Sequence, residues 1–107
     1  MSIALGQCFS YAHKQALKAL TEDNRNVQII HAVVNEPFTE KHYPHAWIEE
    51  NKMCKDWQTM KAGSSKFANV GWEKELFYET FKPTNIVIYT PEQLIRLTIM
   101  HNHTGPF

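Results

Sequence analysis

VQIIHAVVNEPFTEKHYPHAWIEENKMCKDWQ, residues 27–58, is the stretch that decides the fold. Its first part, 27–34, is a β-branched apolar run of the kind that makes a buried strand. Residues 45–50, HAWIEE, alternate as a second strand, and residues 53–58 as a third. Glu50-Asn51-Lys52 supplies the turn between those two. NEPFTEKHYP, 35–44, reads as a loop closed by Pro44.

On the N-terminal side, CFSYAHKQALKAL, 8–20, has helical spacing. Phe9, Ala12, Ala16, Leu17 and Leu20 form one apolar face, with Lys14, Gln15 and Lys18 on the wet side. Gly6-Gln7 reads as a loop that delivers Cys8 to the helix start, and TEDNRN, 21–26, as a polar turn. On the C-terminal side, 59–71 carries Gly63-Ser64-Ser65 and reads as a loop. Residues 72–81, WEKELFYETF, predict a short helix with Trp72, Leu76 and Phe77 inward, broken by Pro83. NIVIY, 85–89, is a further strand. Thr90-Pro91-Glu92-Gln93 is a helix start, with Thr90 as N-cap, Pro91 at N1 and Gln93 closing a capping box. That helix runs through Leu94, Ile95, Leu97 and Ile99 to about Met100, before the tail HNHTGPF. The expected architecture is one α+β domain over 1–107: an antiparallel sheet with an N-terminal helix packed on it.

Composition narrows the function classes. Hydrophobic residues make up 43% of the 107, charged residues 21%, which is globular rather than disordered composition. Formal net charge is zero and Lys and Arg are scattered, so no phosphate-binding stripe is expected and no nucleic-acid partner. Residues 1–7 lack the basic and long apolar parts of a signal peptide, and no apolar run is long enough for a membrane span. A soluble, cytoplasmic protein with reduced thiols is expected. The two cysteines, Cys8 and Cys54, make at most one optional bridge.

The chemistry-bearing residues are Cys8, His45 and Asp56. A thiol, an imidazole and a carboxylate are the parts of a cysteine nucleophile site: the first attacks, the second moves a proton, the third orients the second. At a helix N-terminus, open backbone amides favour a thiolate and can donate to an oxyanion, so the Cys8 amide and the Gln7 side chain are candidate oxyanion donors. Strand alternation puts His45, Trp47 and Glu49 on one face. Asp56 joins that face only if the hairpin loop holds an even number of residues. Trp47 is the wall that keeps the imidazole dry. Trp47 and Trp57 are the substrate-binding candidates, with Tyr43, Trp72 and Tyr78 as further aromatic walls. Each residue alone also has an ordinary reading: a buried core cysteine, a satisfied histidine, a solvated carboxylate. Six histidines do not make a metal site here. His42 and His45 flank Pro44, His101 and His103 lie in the tail, and no Cys-x-x-Cys pair exists, so no metal and no cofactor are expected. Cys54 reads as a packed core thiol.

GQCFSYA, HAWIEE and KDW, taken together, resemble the Cys–His–Asp core of the papain-like and transglutaminase-like superfamily, in a small form of the bacterial or phage type. The resemblance covers residues 6–58, and the HAW run is closer to the transglutaminase-like pattern. It implies a nucleophile at a helix start, His and Asp on neighbouring strands, and acyl chemistry at an amide or ester of a protein or peptide: a peptidase, deamidase, acyltransferase or transglutaminase. The competing expectation is a binding module on the same fold, an inhibitor or adaptor without chemistry.

Overall fold

The computed structural model describes residues 5–35, 41–56, 71–105 and 107, with residues 5–7 described as backbone only. The run at 27–34 forms β1 (Gln28–Asn35), flanked by β2 (His42–Glu50) and β5 (Thr84–Tyr89). β3 (Met53–Lys55) and β4 (Trp72–Glu73) continue the sheet beyond β2, giving the order β4-β3-β2-β1-β5 with every neighbouring pair antiparallel. The helices are α1 (Leu5–Thr21), α2 (Lys74–Phe81) and α3 (Pro91–His101). The protein is α+β, an antiparallel sheet with the N-terminal helix packed on it.

Alternation along β1 divides the core in two. Ile29 turns toward α1 and α3, joining Cys8, Phe9, Ala12, Ala16, Ala19, Ala46, Ile48 and Leu94. Ile30, Ala32 and Val34 turn the other way, joining Trp47, Cys54 and Phe77 beneath α2. The buried stripe of α1 is mostly alanine, and small side chains let the helix approach the sheet closely. Leu17 and Leu20, expected on that face, lie at its margin and are each 43% exposed.

Four local expectations change. First, α1 begins at Leu5, so Gly6-Gln7 belong to its first turn rather than to a loop. Second, β2 begins at His42 and takes Pro44 into the ladder opposite Val33. A proline survives there because β3 pairs only with Ile48–Glu50, so no described strand needs an N–H on the far side of Pro44. Third, Trp72 and Glu73 form β4, pairing with Cys54 and Met53. Gly71 permits that approach: its φ is +82°, and a Cβ would stand 2.5 Å from the Cys54 carbonyl oxygen. Fourth, α2 therefore starts at Lys74. The later start points Phe77 into the core with Tyr78 and Phe81 beside it, and leaves Leu76 43% exposed. Lys82 closes this helix at φ 43°, its N–H reaching the Tyr78 carbonyl. The predicted loop at 59–71 lies outside the described residues except for Gly71, as do residues 57–58 of the predicted third strand.

The start of α3 is as read. The Gln93 amide donates to Thr90 Oγ1 at 3.1 Å, and the Thr90 amide donates to Gln93 Oε1 at 3.0 Å. Leu94 is fully buried, but Ile99 and Met100 are about three-quarters exposed, at 76% and 75%. Among the described residues no helix is long and apolar enough to cross a membrane. Thr90→Ala is expected to lower stability by about 1 kcal/mol, and Thr90→Ser to restore most of it; the midpoint of a urea titration measures both.

Candidate active site

The β2–β3 hairpin positions the imidazole and the carboxylate. Asn51 and Lys52, at φ 54° and 63°, form a two-residue turn with Glu50 paired to Met53. The loop count is even, so the register continued past Lys55 sets Asp56 opposite Trp47 and diagonal to His45, on the same face. The contact is present: His45 Nε2 and Asp56 Oδ2 are 3.0 Å apart, with each side chain 4% exposed.

Cys8 arrives from the other direction. It lies at the end of the first turn of α1, where helical geometry tilts Cβ back toward the N-terminus. Its thiol is within hydrogen-bonding range of the His45 ring. With Nε2 held by Asp56, Nδ1 is the nitrogen left for sulfur. Because α1 starts at Leu5, its open amides belong to the residues ahead of Cys8, which corrects the expectation that the Cys8 amide itself is free. The Gln7 side chain and Trp57 lie outside the described residues.

The three groups are buried: Cys8 is 1% exposed, His45 3% and Asp56 3%. Burial pulls the imidazole pKa down. Hydrogen bonds and charge from Asp56 and Cys8 more than reverse this and hold it up, at about 9. At neutral pH the ring is therefore favoured as imidazolium. Trp47, fully buried, stands beside it with ring centroids 6.0 Å apart, and packs in turn on Phe77 and Tyr78. Tyr43, Trp72 and Tyr78 are partly buried against this same α2-side cluster.

Two features were not legible in the sequence. Glu49, 5% exposed, is a buried carboxylate with donors from three elements. Trp47 Nε1 donates to it at 3.0 Å, Cys54 Sγ at 3.7 Å and the Tyr78 hydroxyl also, while Lys74 Nζ lies 3.1 Å from its other oxygen. Such a set of donors compensates the burial of the charge. Burial and the Glu49 charge together push the Cys54 thiol far above its ordinary range, so Cys54 stays a thiol. Alternation alone showed that Glu49 shares the His45 face; the donors on α2 and β3 come from tertiary packing. The second feature is His31 on β1, 5% exposed, with neither ring nitrogen hydrogen-bonded among the described residues. Rings of Phe9, Tyr89 and Phe107 surround it at centroid distances of 4.8, 5.0 and 5.8 Å. Burial lowers its pKa to about 4. The available signal was a histidine set inside a β-branched run.

Among the described residues, no group of three His, Cys, Asp or Glu side chains is placed to hold a metal ion. Compared with known proteins, the chain matches no family model, no curated protein and no solved structure.

The two buried histidines set opposite pH dependences. The folded state keeps the His45 proton up to about pH 9, against 6.5 when unfolded, so its contribution is full below 6.5 and is lost as pH rises through 9. His31 is held neutral down to about pH 4, so stability falls as pH drops from 6.5 toward 4. Melting temperature measured from pH 4 to 9 is expected to decline on both sides of about 6.5. Asp56→Asn should flatten the alkaline limb and His31→Phe the acid limb.

Proposed function

We propose that the protein is a cysteine-dependent hydrolase or acyltransferase acting on an amide or ester bond of a protein or peptide. The observation that carries the reading is His45 held between the Asp56 carboxylate and the Cys8 thiol in a buried site. The resemblance of GQCFSYA, HAWIEE and KDW to papain-like and transglutaminase-like enzymes supports the same reading.

In this mechanism Asp56 accepts the Nε2 proton of His45 and fixes the ring with Nδ1 toward sulfur. From the neutral form of the ring, the thiol proton passes to His45 Nδ1, and the Cys8 thiolate attacks the carbonyl carbon, forming a C–S bond and an oxyanion. Open amides at the start of α1 are the candidate donors to that negative charge. Collapse breaks the bond to the leaving amine or alkoxide, which takes the proton from His45, and leaves a thioester on Cys8. Water or an acceptor amine, deprotonated by His45, then attacks the thioester and frees the thiol. No cofactor enters these steps. The raised His45 suits the acid half of this cycle, because a protonated ring is needed when the leaving group departs.

The 1% exposure of Cys8 is the observation that favours the alternative, a binding module without chemistry. Iodoacetamide at neutral pH separates the two. The enzyme reading expects Cys8 to alkylate at least about tenfold faster than Cys54, which Glu49 and burial hold as a thiol. Equal, slow alkylation of both would leave the binding module. In cells, Cys8→Ser is expected to abolish the biological effect with little change in melting temperature, whereas a binder would keep its effect. Asp56→Asn is expected to keep the fold and lower turnover about 10⁴-fold, since an amide leaves the imidazole in the wrong tautomer.

A further inference from the structure

A cavity of about 200 Å³ opens where β1, β2 and β5 meet Phe9 of α1 and the C-terminal Phe107. Phe9, Pro44, Val87, Tyr89 and Phe107 line it together with His31. Two of these residues are the chain neighbours of the dyad: Phe9 follows Cys8, and Pro44 precedes His45. Neither Cys8 nor His45 is among the lining residues, so only a group that extends past Phe9 and Pro44 from the Cys8 sulfur would enter this space.

The lining is apolar or aromatic apart from His31 and Asn85. His31 is the anomaly, because a buried imidazole normally finds at least one hydrogen bond. Here both nitrogens lack one among the described residues, the ring is 95% buried at 5% exposure, and a ligand reaches either nitrogen only when one of the surrounding rings shifts. The neighbouring rings meet it edge-on from Phe9 and Tyr89 and nearly parallel from Phe107, and none of these contacts satisfies a nitrogen. A neutral imidazole presents one donor and one acceptor. A matching ligand has a flat apolar body for the aromatic walls and a single polar atom for His31. A phenol meets both demands, and its hydroxyl can serve as donor or acceptor.

We infer that this cavity is a binding pocket for a phenol-bearing group, a tyrosyl side chain or a ligand of that chemistry, with its hydroxyl hydrogen-bonded to His31. The placement of that group next to a scissile bond rests on the Cys8 reading; the pocket itself does not. A site built to hydrogen-bond a hydroxyl rejects the analogue that lacks it, because the buried polar partner is left unpaired.

The direct test is titration of the full chain, carrying ¹⁵N-labelled histidine, with p-cresol and with toluene. Saturable movement of the His31 ring nitrogens by p-cresol is expected, with toluene binding about tenfold more weakly, the worth of one good hydrogen bond. His31→Phe should remain folded, with a melting temperature at or above that of the parent, and should bind the two compounds equally. No saturable shift of His31, or a p-cresol preference that survives in His31→Phe, overturns the pocket whatever the reactivity of Cys8. The placement is read from alkylation of Cys8 by the chloromethyl ketones of tyrosine and phenylalanine. The tyrosine reagent should react about tenfold faster with the parent and no faster with His31→Phe. Equal rates in the parent, with iodoacetamide still selective for Cys8, would overturn the placement and leave the enzyme reading standing.

Discussion

The two-residue turn at Asn51-Lys52 is the constraint on which the site depends. It pairs Glu50 with Met53, and from that pairing every side chain of β2 and β3 is assigned a face. One residue more or fewer in the loop would turn Asp56 away from His45 and Cys54 away from Glu49. The turn requires positive φ at both positions, and the residues that adopt it are an asparagine, which tolerates that region well, and a lysine, which does so less readily. The hairpin partner contacts overdetermine the Lys52 conformation: its carbonyl accepts from the Lys74 amide at 2.9 Å, tying the turn to the start of α2.

The short reach of β3 matters as much as its register. Because it pairs with only the last three residues of β2, the His42–Trp47 part of β2 has no described strand on that side. This open stretch accommodates Pro44 and lets Asp56 bond the imidazole from one direction while the first turn of α1 brings the thiol from another. A full-length β3 would demand an N–H that Pro44 lacks. The same local incompleteness thus explains a proline in a strand and the convergence of three chain segments on one ring.

Three buried polar centres have different energetic characters. The Asp56–His45–Cys8 group satisfies the imidazole on both sides and favours its charged form. Glu49 is satisfied by Trp47, Tyr78, Cys54 and Lys74, so it fastens α2 to the sheet and holds the indole that packs beside His45. Removing a charged partner from either centre leaves a buried charge undercompensated. His31 is unlike both, kept neutral by aromatic walls with no hydrogen bond to either nitrogen. Proteins seldom retain that arrangement for stability, since an apolar ring of the same shape would do better there.

What the sequence by itself determined was local. The β-branched run at 27–34, the alternation of HAWIEE and the Thr90-Pro91-Glu92-Gln93 cap each carry their structure within a few residues, so strand β1, the common face of His45, Trp47 and Glu49, and the start of α3 were legible. The candidate site was legible as a set of residue types, Cys8, His45 and Asp56, without its geometry. Tertiary structure decided the rest. The parity of the hairpin loop was ambiguous in Glu50-Asn51-Lys52, because any of those residues can pair or turn until β3 finds its register. The β4 strand at Trp72–Glu73 forms only because Gly71 lets the chain lie against the Cys54 carbonyl, and that pairing in turn shifts α2 and expels Leu76. The donors around Glu49 and the walls around His31 come from elements far apart in sequence, and no periodicity records which side chains such elements will bring together.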